Sequence, residues 1–201
     1  MRLLSFATKL TLTFAVVVLG SVLAPAQQSD QKPDKKWAAA QLVAAKEKVV
    51  NSLKPEDKFY MTTDITVQAF IAGDQVKAGM YAKDLLNQAE SMKENWNYGN
   101  AIHKAHLVLG RIALAAGDLD EAKAQLLRAG QTPGSPQLDS FGPDMLFAKE
   151  LLEKGEKDVV IRYFKLCSNF WEMDNGKLAG WTTDVQNDKI PDFGPNVRYV
   201  F

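Results

Sequence analysis

The chain has 201 residues, of which 46% are hydrophobic, 24% charged and 9% aromatic, a balance that sets aside disordered, collagen-like and membrane-bundle classes. Its 24 lysines and arginines equal its 24 acidic residues, so it lacks the basic footprint on which nucleic-acid binding depends.

The first nine residues carry Arg2 and Lys9 and no acid, and the run LTLTFAVVVLGSVL from Leu10 to Leu23 is uncharged. A bilayer-spanning helix needs about 20 apolar residues at 1.5 Å rise each, so this run is too short to serve as one. Ala24-Pro25-Ala26 then puts small residues where a signal peptidase reads them. Cutting after Ala24 would set Pro25 beyond the scissile bond, which places the cut between Ala26 and Gln27. The pattern predicts a signal peptide over 1–26 and an exported product, periplasmic or extracellular, with no membrane span once the leader is gone. No cysteine follows the apolar run to take a lipid. Removal of Arg2 and Lys9 leaves a mature formal charge of about −2.

From 27 to 58 a polar leader gives way to an amphipathic helix. Trp37, Leu42, Ala45, Val49 and Leu53 recur at helical steps over 36–53, and Pro55 marks its end. No useful strand alternation follows anywhere, so the fold class is all-α.

Residues 101–129 read AIHKAHLVLGRIALAAGDLDEAKAQLLRA. Gly110 removes a side chain where two helices cross closely, Gly117 takes a positive φ to end the first helix, and Asp118 caps the second. Ala122 is small at the same crossing, and Leu126 and Ala129 lie on the buried stripe. The skeleton recurs 38 residues downstream as Phe147-Ala148, Gly155-Glu156, Val160, Phe164 and Cys167. A weaker upstream copy runs through Gly73-Asp74, Ala78, Ala82 and Leu85. Helix pairs are expected at 59–71 and 74–92, 99–116 and 119–130, and 142–154 and 157–172. The segment TPGSPQLDSFGP, within 131–143, reads as a loop that absorbs the extra length. Residues 172–201 are not another repeat; a helix over 177–189 and the closing IPDFGPNVRYVF predict a C-terminal cap on the domain at 59–171.

This spacing resembles the tetratricopeptide repeat, with His106 departing from the family's usual large apolar residue. The resemblance implies a right-handed array of about three helix hairpins between an N-terminal helix and the cap. It also implies that the first helix of each pair lines a concave groove. Carried over position by position, groove candidates are Lys104, Leu107 and Arg111, then Met145, Lys149 and Leu152, with Thr63, Val67 and Phe70 in the weak copy. Lys104, Arg111 and Lys149 would make the groove mildly basic, which suits an acidic peptide or a terminal carboxylate. Residues 96–199 are further similar to an exported bacterial family that carries such repeats and has no known activity.

Residues that could carry chemistry are sparse. His103 and His106 share a helix face, but zinc takes three or four protein ligands and no others stand near in sequence. Ser135 lacks the glycines of a nucleophile elbow, and no Gly-Lys-Ser/Thr marks a phosphate loop. Cys167 sits in an apolar helical stretch and reads as buried packing. No enzyme activity, metal or cofactor is expected. The predicted function is a scaffold for a protein or peptide partner. The alternatives are a glycan or small-ligand binder using Trp171, Trp181, Phe193 and Tyr199, or a structural subunit of an envelope complex. Within the scaffold reading, the groove, the 131–143 loop and the cap remain open as binding sites.

Overall fold

The computed structural model describes residues 34–197. The expected signal peptide, its expected cleavage site at Ala26 and Gln27, and Tyr199 lie outside the described residues. Within them the fold is all-helical, with no strand, and no helix is long and apolar enough to cross a membrane. The α-helices are α1 (Lys35–Glu47), α2 (Pro55–Ala72), α3 (Gln75–Ala89), α4 (Tyr98–Ala115), α5 (Leu119–Gly130), α6 (Pro136–Phe141), α7 (Leu146–Leu152), α8 (Lys157–Cys167) and α9 (Lys177–Gln186).

Three turns are built alike. Gly73, Gly117 and Gly155 adopt φ of +85°, +82° and +85°, so each closes one helix in a left-handed conformation and starts the next. After the first two, Asp74 and Asp118 accept hydrogen bonds from the amides of Lys77 and Glu121, at 3.0 Å each, and cap α3 and α5. The pairs α2–α3, α4–α5 and α7–α8 pack against each other and against their neighbours in sequence. Small residues set the closeness of these crossings. Ala78, Ala82, Ala105 and Ala122 are fully buried. A Cβ on Gly110 would lie 2.3 Å from the Phe147 ring and 3.0 Å from Gln125 Cβ, so both α5 and α7 approach the backbone of α4 there.

Two apolar clusters form the core, one around Phe59, Ile65 and Leu85, the other around Phe147, Phe164, Trp171 and Trp181. Helix α4 belongs to both, giving Ala101, Ala105 and Val108 to the first and Leu107 to the second. The aromatic end is closely packed: ring centroids lie 5.7 Å apart for the tilted Trp171–Trp181 pair and 5.0 Å for the edge-to-face Trp181–Phe193 pair. Behind it the chain turns back. Asn196 Nδ2 donates to the carbonyls of Phe141 and Pro143, both at 3.0 Å, and its own carbonyl accepts from the Met145 amide at 2.8 Å.

Several elements differ from the sequence expectation, among them α2, which opens at Pro55 rather than at 59, and α8, which closes at Cys167 rather than at 172. Helix α1 stops at Glu47 rather than near Leu53, and Val50–Ser52 form a 3-10 turn. The run Val49-Val50-Asn51-Ser52 consists of weak helix formers, which explains the early stop. Helix α7 starts at Leu146, four residues later than expected, with Asp144 accepting from the Leu146 amide at 2.7 Å. The segment read as a loop contains α6, which opens on Pro136 and is capped by Ser135 accepting from the Leu138 amide at 3.0 Å.

Candidate functional site

Helix α4 presents Asn100, His103, Lys104 and Leu107 at the three- and four-residue steps that form one face. Opposite that face stand α6 and the segment Gly142–Asp144, the latter tied down by Asn196. Between them lies a cavity of about 300 Å³ lined by these four residues together with Gln137, Leu138, Phe141, Pro143 and Asp144. A second, more polar hollow of about 380 Å³ is lined by Tyr60, Thr63, Asp64, Val67, Gln68 and Trp96. Lys104 and Gln137 border both, so the two hollows adjoin across these side chains.

Most polar groups at the cavity are already committed. Asn100 donates to Asn97 Oδ1 at 3.1 Å and Gln137 Oε1 at 2.8 Å, and accepts from the Ser135 hydroxyl at 2.8 Å. His103 is buried, its Nδ1 donates to the Ala129 carbonyl at 3.0 Å, and its ring lies parallel to Tyr163 at 6.4 Å. Burial pushes its pKa down to about 4, so the imidazole is neutral at physiological pH. Lys104 is different. Among the described residues it has no hydrogen-bond or ion-pair partner, and loss of hydration lowers its pKa while Asp64 and Asp144 act in the opposite sense.

The sequence-derived groove positions divide into two sets. Thr63, Val67, Lys104 and Leu107 line the adjoining hollows. Phe70, Arg111, Met145, Lys149 and Leu152 line neither. The Arg111 guanidinium makes two hydrogen bonds to Glu150, at 2.8 and 2.6 Å, and lies 4.7 Å from the Phe70 ring centre. Lys149 pairs with Glu153 at 2.7 Å. Met145 is fully buried and Leu152 nearly so, both in the aromatic core cluster. Carboxylates pair with Arg111 and Lys149, so the basic character expected of the groove comes down to Lys104, which itself lies in the field of Asp64 and Asp144.

His103 and His106 turn to separate partners, His106 Nδ1 lying 2.6 Å from Gln125 Oε1. No three histidine, cysteine or acidic side chains converge as metal ligands among the described residues. Cys167 is fully buried, and desolvation pushes its thiol pKa well up, so it has no thiolate character. Trp171, Trp181 and Phe193 are buried in the core and leave no broad face for a sugar ring.

No family model, curated protein or solved structure matches the chain.

Sequence reading missed the α6 side of the cavity. Leu138, Phe141 and Asn196 lie 31 to 89 residues from Leu107 in the chain, and their convergence depends on a six-residue helix with no periodic signal. Trp96, half exposed and stacked on Tyr60 at 5.7 Å, was equally silent. Asn100 was legible in principle, because it falls one helical turn before Lys104 on the same face.

Proposed function

We propose that the chain is an exported, tetratricopeptide-type right-handed helical scaffold that binds a protein or peptide partner along the α2–α4 face. The observation that carries this reading is the pair of adjoining hollows, bordered by Thr63, Val67, Lys104 and Leu107 and meeting at the unpaired Lys104. Three similar helix pairs joined at left-handed glycines support the repeat reading. Export rests on the basic, apolar and small-residue pattern before Gln27.

A cationic side chain standing between a polar and an apolar hollow suits an acidic segment that also carries apolar residues. The test is affinity capture from envelope extract, with the protein and its Lys104→Glu variant as baits. The partner should be retained by the first and lost by the second, while both give the same circular dichroism spectrum. Equal capture by both would place binding elsewhere. Arg111 is the wrong position to reverse, since its bonds to Glu150 join α4 to α7 and its loss would disturb packing.

A further inference from the structure

The half-open cavity beside α6 has a chemistry of its own, separate from the macromolecular reading. Lys104 lies there in the field of Asp64 and Asp144, so the charges at its border oppose one another and select neither an anion nor a cation. Leu107, Leu138, Phe141 and Pro143 give it apolar walls. The deciding atom is His103 Nε2. His103 lines the cavity, is only 2% exposed, and its Nε2 is buried with no hydrogen-bond partner among the described residues. The other ring nitrogen faces the Ala129 carbonyl, which can only accept, so Nδ1 carries the proton and Nε2 of the neutral ring is an acceptor. Tyr163 and Phe170 pack on the ring at 6.4 and 6.2 Å, and Nδ1 is held at the end of α5, which leaves the Nε2 edge to border the cavity.

We infer that this cavity binds a small neutral molecule with one hydroxyl on an apolar body, of the phenol class, its hydroxyl donating to His103 Nε2 and its body packing among Leu107, Leu138, Phe141 and Pro143. The volume of about 300 Å³ falls at the lower end of small-molecule sites, which pair mostly apolar linings with a few placed polar groups. A buried acceptor left unpaired carries its full desolvation cost, and a ligand hydroxyl removes it. One acceptor in apolar surroundings calls for one donor. A primary amide or an ammonium would bring further donors in need of partners, and an ammonium would add positive charge close to Lys104. A water needs two to four polar partners, roughly, and the four apolar side chains supply none. Phe141 fits the same reading: it is large, apolar and 69% exposed while lining the cavity, and a bound ring would cover it.

The probe is 4-methylphenol, with 1,4-dimethylbenzene as the match of the same shape that lacks a donor. The readout is the ¹⁵N resonance of His103 Nε2 in histidine-labelled protein, where only two histidines need assignment. An acceptor nitrogen moves upfield on gaining a hydrogen bond, so 4-methylphenol should shift His103 Nε2 upfield saturably and leave His106 in place. It should bind about tenfold more tightly than 1,4-dimethylbenzene, although the latter is the more apolar. His103→Asn keeps a donor near the Nδ1 position but has no Nε2, and should reverse that preference. Phe141→Ala, a truncation at an exposed position, should weaken both compounds. The inference is overturned by an Nε2 resonance that ignores 4-methylphenol, or by a donor-free match that binds equally well or better. Affinities indifferent to Phe141→Ala, or no saturable binding of either compound, would overturn it too. None of these outcomes depends on a protein partner, whose capture is scored separately.

Discussion

Gly110 and Gly79 look equivalent in the sequence, each a glycine inside a helix, but their surroundings are opposite. A Cβ at Gly110 would sit 2.3 Å from the Phe147 ring, whereas one at Gly79 would meet Ile112 Cδ1 at an ordinary 3.6 Å. Gly110→Ala should therefore destabilise by about 1–3 kcal/mol through overpacking. Gly79→Ala should stabilise by about 0.5–1 kcal/mol, because alanine is the better helix former and has room. Urea denaturation distinguishes them by sign; a stabilising Gly110→Ala would mean that α4 and α7 do not pack as closely as described. His103 supplies a second prediction at this scale. Its folded pKa of about 4 lies below the 6.5 of an unfolded histidine, so between these values the unfolded chain holds more protons. The stability it contributes is complete above pH 6.5 and is lost as pH falls toward 4. His106, also lowered by burial, acts in the same direction. Between pH 7 and 5 the loss should be about 2 kcal/mol from His103 alone, read as a falling urea midpoint. A His103→Leu variant should be less stable at pH 7 but flatter with pH. A midpoint unchanged from pH 7 to 5 would contradict the buried neutral imidazole.

Helices that follow a strong local pattern were legible before the structure. Glycine followed by aspartate, with small residues four positions on, locates the turns after α2 and α4, because φ near +85° excludes most other residues. Helix α6 was not legible, because Pro136 and Gly142 bracket too few residues to show a period. It is fixed instead by Leu138 entering the core and by Trp171 covering Gly142, whose Cβ would lie 2.4 Å from the indole. The cavity was hidden for the same reason, as half of its wall comes from such long-range contacts. Helix α7 is likewise short, and besides the packing of Phe147 on Gly110 it is tied to α4 by the ion pair between Arg111 and Glu150. The two side chains are only 16% and 28% exposed and meet in a forked geometry. A double-mutant cycle with Arg111→Ala and Glu150→Ala should give a coupling of about 1 kcal/mol or more. Strict additivity of the two substitutions would show that the pair does not join these helices.

At the scale of the whole molecule, α4 is the central element. It shares in both apolar clusters, carries Gly110 where α5 and α7 approach, and presents Lys104 and Leu107 to the hollows. The proposed binding face is therefore built on a helix held from several sides, which favours a preformed site over one assembled on binding. The most direct test of partner binding on this face uses a photoreactive phenylalanine analogue at Gln68, which lines the outer hollow, and at Met80, exposed on α3. After irradiation in envelope extract, the partner should become attached through position 68 and not through position 80, and Lys104→Glu should abolish the product. Attachment through position 80 alone, or attachment at 68 that ignores Lys104→Glu, would contradict the proposed face.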